Sequence, residues 1–149
     1  MGKEKGPLVI LPRGARMNQH RYIEEVLKPA FVPFYKKMKR KYGSKVTIQE
    51  DGAKYHFAPV PTAYKKLHRL ICLLWPAQSP DLNPIENLWK ILKDNIARRR
   101  HRICSIEEME AAIRQEWEKI DEDILLKLAN SMENRMRLLK EAKFGSIRY

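Results

Sequence analysis

The sequence is short of cysteine, of acidic side chains and of long apolar runs, and each shortage closes a class of function. Cys72 and Cys104 are the only cysteines in 149 residues, and no Cys-x-x-Cys pair or Cys/His cluster accompanies them. Neither a secreted disulfide scaffold nor a zinc module is supported, and reduced thiols fit an intracellular chain. No apolar run approaches the roughly 18–20 residues that cross a bilayer. The start Met1-Gly2-Lys3-Glu4-Lys5 lacks the hydrophobic stretch of a secretory signal, so no membrane or export role is expected. Acidic residues number 18 against 30 Lys and Arg, a formal charge of +12. With 44% apolar residues, a chain of this length can bury roughly 68–70% of the surface its unfolded form exposes, which argues for one folded basic domain.

The positive charge is uneven. Residues 1–60 carry 13 basic and 5 acidic side chains, net +8, whereas residues 61–149 carry 17 and 13, net +4. Lys36, Lys37, Lys39, Arg40, Lys41 and Lys45 form one dense block, and Arg98, Arg99, Arg100 and Arg102 around His101 form a second. Both are candidate phosphate contacts. Such contacts bring affinity through counterion release but no sequence readout, and a solvated helix end is the plainer alternative for each.

Punctuation and periodicity set out the elements. Gly6-Pro7-Leu8-Val9-Ile10-Leu11, closed by Pro12 and Gly14, reads as a strand and exit turn. From Asn18, a candidate N-cap, the spacing of Tyr22, Ile23, Val26, Leu27, Ala30, Phe31 and Phe34 predicts two joined helical pieces through about Tyr42, broken or kinked by Pro29 and Pro33. Lys45 to Glu50 alternates as a strand ending at Asp51-Gly52, a short helix suits Thr62 to Leu70, and Ile71 to Trp75 reads as a buried strand stopped by Pro76. Asn83, Pro84 and Glu86 predict a helix start, with Ile85, Leu88, Trp89, Leu92 and Ile96 on one stripe and Glu86 on its flank. Ser105 and Glu108 form a capping box for a helix with Ile106, Met109, Ile113, Trp117 and Ile120 on one face. Asp121 to Asp123 cap a last helix, lined by Leu125, Leu128, Ala129, Met132, Met136 and Leu139 to about Lys140. The result is a single α/β domain over 1–149, with a core at about 6–100 and a helical part at about 103–140.

Phosphodiester chemistry commonly uses carboxylates to hold divalent cations about 3.5–4 Å apart. Asp51 at a strand end and Glu86 in the first turn of a later helix could meet at one edge of a sheet. By spacing alone this is a weak signal: a turn after a strand explains Asp51-Gly52, and a capping box with Asn83 explains Glu86. The surrounding residues are more specific. Trp75-Pro-Ala-Gln-Ser-Pro-Asp-Leu-Asn-Pro-Ile-Glu-Asn-Leu-Trp89 resembles the signature of mariner-superfamily transposases of the Tc type. Gln49-Glu-Asp-Gly-Ala-Lys-Tyr-His56 resembles the same family's second-aspartate motif, and 34 residues separate Asp51 from Glu86, the interval of its glutamate branch. Gly6 to Val9, Met17 to Tyr22 and Ser131 to Tyr149 are also similar, so the resemblance extends over nearly the whole chain.

The resemblance implies an RNase H-like fold of sheet order 3-2-1-4-5 and an Asp-Asp-Glu triad binding Mg²⁺ or Mn²⁺. It also implies an activity that hydrolyses transposon ends and transfers the freed 3′-hydroxyl to target DNA, in the nucleus of a eukaryote. Asp51 matches the second carboxylate and Glu86 the third. The first is expected on a strand upstream of Gly6-Pro7, which this sequence does not contain. Glu4, Glu24, Glu25 and Glu50 are no substitutes, Glu50 because strand alternation points it away from Asp51. Lys54 and Tyr55 depart from the family pattern, which places proline and a small residue or cysteine there. Two expectations stay open: a metal-dependent transposase domain inactive as it stands, and a non-catalytic DNA-binding or interaction protein. His56 is a candidate to orient a phosphate or carboxylate, or a plain turn residue. Asp81 reads as a loop or cap residue. A sheet lacking its central strand leaves an open edge and predicts self-association, with Gly6 to Leu11 loosely attached or re-paired beside Val46 to Glu50.

Overall fold

The computed structural model describes residues 4–76, 79–143, 145 and 147. The chain divides into two compact units, Val9–Gln78 and a second formed by Met1–Leu8 with Ser79–Tyr149.

In the unit Val9–Gln78, Asn18 accepts hydrogen bonds from the N–H groups of His20 and Arg21 and opens a helical stretch: α1 (Gln19–Arg21), a π-helical segment (Tyr22–Phe31) and α2 (Val32–Tyr42). Pro29 and Pro33 do not break it. The Val32 N–H reaches back five residues to the Leu27 carbonyl, and this wider turn accommodates two residues that supply no donor. Gly43, at φ 73°, ends α2 in a conformation that costs a side-chain-bearing residue energy. The buried face is Tyr22, Ile23 and Leu27, packed by Met17, Val26, Phe31, Tyr55 and Tyr64. α3 spans Pro59–Leu67, three residues earlier than its sequence signals at both ends, because Pro59 pre-sets the first turn.

The expected strands are reduced to one parallel bridge between Ile48 and Cys72. Ile48 donates to the Ile71 carbonyl at 2.7 Å and accepts from Leu73 N–H at 2.7 Å. The Tyr35 hydroxyl joins both runs, donating to the Val46 carbonyl at 3.4 Å and accepting from Ile71 N–H at 3.3 Å. No longer ladder exists among the described residues, and two strands alone are marginal in water. The α/β expectation is therefore not confirmed: the described residues are helical with no strand beyond this isolated bridge. Ile71 to Trp75 is not a buried strand either: Leu74 is fully exposed, and Ile71, Cys72 and Leu73 are exposed beside it. Gly6 to Leu11 forms no strand and does not pair with Val46 to Glu50.

In the other unit, α4 (Ile85–Arg99), α5 (Ile106–Glu118) and α6 (Glu122–Glu141) pack around Leu88, Trp117, Ile120 and Leu125, with Leu8, Ile85, Trp89, Ile124 and Leu128 against them. Trp89 and Trp117 stack at 5.6 Å, which makes both packing residues. The Ser105–Glu108 capping box and the Asp121 cap form as expected. Lys5 replaces a glycine stop at the end of α5: its ammonium donates to the carbonyls of Trp117, Glu118 and Ile120 at 2.8, 3.0 and 3.3 Å. Two apolar stripes are displaced. Ile106 and Met136 are exposed, whereas Glu116 and Arg135 are buried in their helices.

Candidate functional site

Asp51 sits in a turn after the bridged segment, its side chain 58% exposed. Oδ1 accepts the Ala53 N–H at 3.1 Å and lies 2.9 Å from His56 Nδ1, so the aspartate organises its own turn. His56 is largely buried and ringed by Tyr22 at 4.7 Å and Tyr55 at 4.5 Å between ring centroids. His56 contacts the Asp51 carboxylate within the turn it shares, an arrangement that fits both sequence expectations for it.

A buried polar cluster anchors this turn. Glu50, the residue before Asp51, is buried and accepts from Lys65 Nζ at 2.5 Å and from the Tyr22 hydroxyl at 2.5 Å. The same ammonium donates to the His56 carbonyl at 2.7 Å and lies 5.6 Å above the Phe57 ring. Lys65 therefore ties the end of the bridged segment to the far side of the turn. Burial, reinforced by the hydrogen bond to Glu50, pushes the Tyr22 hydroxyl well above the usual phenol range and keeps it a donor. Strand alternation correctly separates Glu50 from Asp51, but nothing local marks Lys65, whose helix position reads as surface.

Glu86 is exposed in the first turn of α4, on the flank of the Leu88–Leu92 face. The helix starts one residue later than expected, at Ile85, and Pro84 in the cap position offers no side-chain hydrogen bond. Asn83 contributes its carbonyl, which accepts the Glu86 N–H at 3.1 Å. Asp81 is a loop residue, as its sequence context implies: Oδ1 accepts Leu82 N–H at 3.1 Å and Oδ2 accepts Ile147 N–H at 2.9 Å.

Asp51 and Glu86 belong to different units. Oxygen donors of this kind suit Mg²⁺ or Mn²⁺, but a hard cation takes about six ligands, and among the described residues no three His, Cys, Asp or Glu stand together as a ligand set.

The basic blocks have different fates. Lys36, Lys37, Arg40 and Lys41 are exposed on α2, and Lys39 lies half-buried with its ammonium 5.8 Å from the Tyr35 ring centroid. Arg98, Arg100 and Arg102 are exposed at the end of α4, whereas Arg99 turns to α5, donating to Glu116 at 2.9 Å and Gln115 at 2.8 Å. Glu116 is only 4% exposed, and the hydrogen bond from Lys119, with that from Arg99, holds its carboxyl below the usual range. A carboxyl whose folded pKa is depressed stabilises above its unfolded pKa and loses that contribution as pH falls through the folded value. Glu116→Gln is therefore expected to lower the thermal midpoint at pH 7, with the gap to the parent chain closing below about pH 4. A gap that widens on acidification would contradict the assignment.

Comparison with known proteins agrees with these motifs. A family model described as DDE superfamily endonuclease matches residues 10–110. The Tc3 transposase of Caenorhabditis elegans is 32% identical over 146 residues, covering 98% of this chain and 43% of that protein. The Tcb1 transposase of Caenorhabditis briggsae is 27% identical over 130 residues, covering 87% and 46%, and the Tc1 transposase of C. elegans 28% over 109, covering 72% and 38%. The chain thus spans less than half the length of the curated relatives it matches. With both carboxylate motifs inside the matched span, the chain, similar to transposases of the Tc type, belongs to the DDE superfamily endonucleases.

Proposed function

We propose that this chain supplies the second and third carboxylates, Asp51 and Glu86, of a Tc-type transposase catalytic domain that cuts and joins DNA with Mg²⁺ or Mn²⁺, and that it does not cleave DNA alone. Membership of a DDE endonuclease family implies dependence on a divalent metal. The observation that carries the reading is the pair of motifs within the matched span, each with an exposed carboxylate. The RNase H-like sheet is part of the proposal, and the parallel Ile48–Cys72 bridge supports the adjacency of its fourth and fifth strands. Cleavage by two carboxylates alone is disfavoured because neighbouring cations need negative charge to offset their repulsion. DNA in a nuclear setting is the proposed partner, contacted through Lys36, Lys37, Lys39, Arg40, Lys41, Arg98, Arg100 and Arg102. Arg99 contributes less, since its guanidinium already serves Glu116. The exposed apolar side chains of Leu67, Ile71, Leu73 and Leu74 support self-association through the bridged edge.

A second reading, a non-catalytic DNA-binding or interaction protein, draws on those exposed basic side chains, which need no metal to hold phosphate. One experiment addresses both: purified chain is mixed with transposon-end DNA over a salt series, with and without Mg²⁺ or Mn²⁺. Binding is expected to fall steeply with salt, with no preference among sequences and no nicking. Metal-dependent nicking abolished by Glu86→Gln would overturn the proposed inactivity, and salt-insensitive binding would overturn the phosphate contacts.

A further inference from the structure

Pro84, in the cap position of α4, makes no side-chain hydrogen bond to the turn that carries Glu86. Arg135, in the middle of α6, is 1% exposed. Its guanidinium spreads over three acceptors: Nη1 donates to the Asp81 carbonyl, Nη2 to Asn87 Oδ1 at 2.6 Å, and Nε to Ser131 Oγ at 3.0 Å. The first two acceptors bracket Glu86, one five residues before it and one immediately after. Ser131 is itself held, donating to the Leu128 carbonyl at 2.7 Å, which orients the fork from within α6. Taking a guanidinium out of water is costly, and the geometry that recovers the cost here is a planar donor array matched to acceptors on two segments.

We propose that Arg135 is a positioning residue for Glu86: it clamps the Pro80–Leu82 turn to the first turn of α4 and so fixes where the carboxylate stands. The inference rests on the reading of Glu86 as a metal-binding carboxylate only for its functional meaning; the clamp itself is independent of it. Asp81 makes a second fastening on the same turn, where its Oδ2 accepts the Ile147 N–H. A lysine ammonium also has three donors, but they diverge from one nitrogen and cannot present the guanidinium's planar array of three separated nitrogens.

Hydrogen exchange across the full chain tests the clamp. In Arg135→Lys and Arg135→Met, amides of residues 81–88 are expected to exchange at least about tenfold faster, the factor for losing a charge-assisted hydrogen bond. Amides of α5 should change less than about twofold if stability is redistributed locally. Asn87→Leu provides the same readout should the Arg135 variants not fold, and Asn87→Asp, which keeps an acceptor opposite the guanidinium, is expected to restore protection. Unchanged exchange at 81–88, or an equal rise in α5, would overturn the proposal, as would Asn87→Asp behaving like Asn87→Leu. Glu86→Gln separates the two ideas: it is expected to leave exchange at 81–88 unchanged, so failure of the metal reading would not be mistaken for failure of the clamp.

Discussion

Lys65→Met is expected to lower the stability of this protein by about 3–5 kcal/mol, the cost of leaving a buried charge without its partner. Both members of the pair are nearly inaccessible, Lys65 at 8% and Glu50 at 6% side-chain exposure, so solvent screens little of the loss. Glu50 would retain only neutral donors, the Tyr22 hydroxyl and the Cys72 thiol, and the His56 carbonyl would lose the ammonium that holds the Asp51 turn. Against a typical total of about 5–15 kcal/mol, a loss of that size removes a large share of folding. Urea denaturation should show a lower midpoint with unchanged slope. Adding Glu50→Gln to Lys65→Met is expected to return part of the loss, because the uncompensated charge is then gone. A single-variant change below about 1 kcal/mol would show that the pair is hydrated and that it does not anchor the turn.

Features set by neighbouring residues were legible in the sequence. The caps at Asn18, Ser105 and Asp121 formed where their side chains predict, because a cap is a contact over two or three positions. The flank position of Glu86 followed from helical periodicity in the same way. Features that depend on distant partners were not legible. Ile71 to Trp75 has the composition of a buried strand, but burial requires neighbours on both edges, and the bridge to Ile48 is its one pairing among the described residues. The prolines at 29 and 33 signalled a break, but a π turn absorbs missing donors without ending a helix. At the candidate site Asp51 and Glu86 stand in motifs visible in the sequence, whereas the buried cations near them do not. Lys65 and Arg135 look like surface charges until their acceptors, 15 and 48 to 54 positions away, are known. Arg135 did carry one unused signal: at 100° per residue it falls within about 20° of Leu128 on the apolar stripe of α6.

The proposed role of Asp51 and Glu86 as catalytic carboxylates of a Tc-type transposase is tested most directly in a chimera. The Tc3 transposase of C. elegans aligns with 146 residues here, so this chain can replace the matching segment and receive the remainder from that protein. The chimera is measured for divalent-metal-dependent cleavage of the corresponding transposable-element ends, alone and with Asp51→Asn or Glu86→Gln. Each substitution keeps size and shape but removes the charge a cation needs, and groups acting as a unit fail together. The chimera is expected to cleave, and either substitution to lower the rate by about a thousandfold or more, with the double variant little worse than either single one. A chimera that cleaves equally well with Asp51→Asn or Glu86→Gln would contradict it.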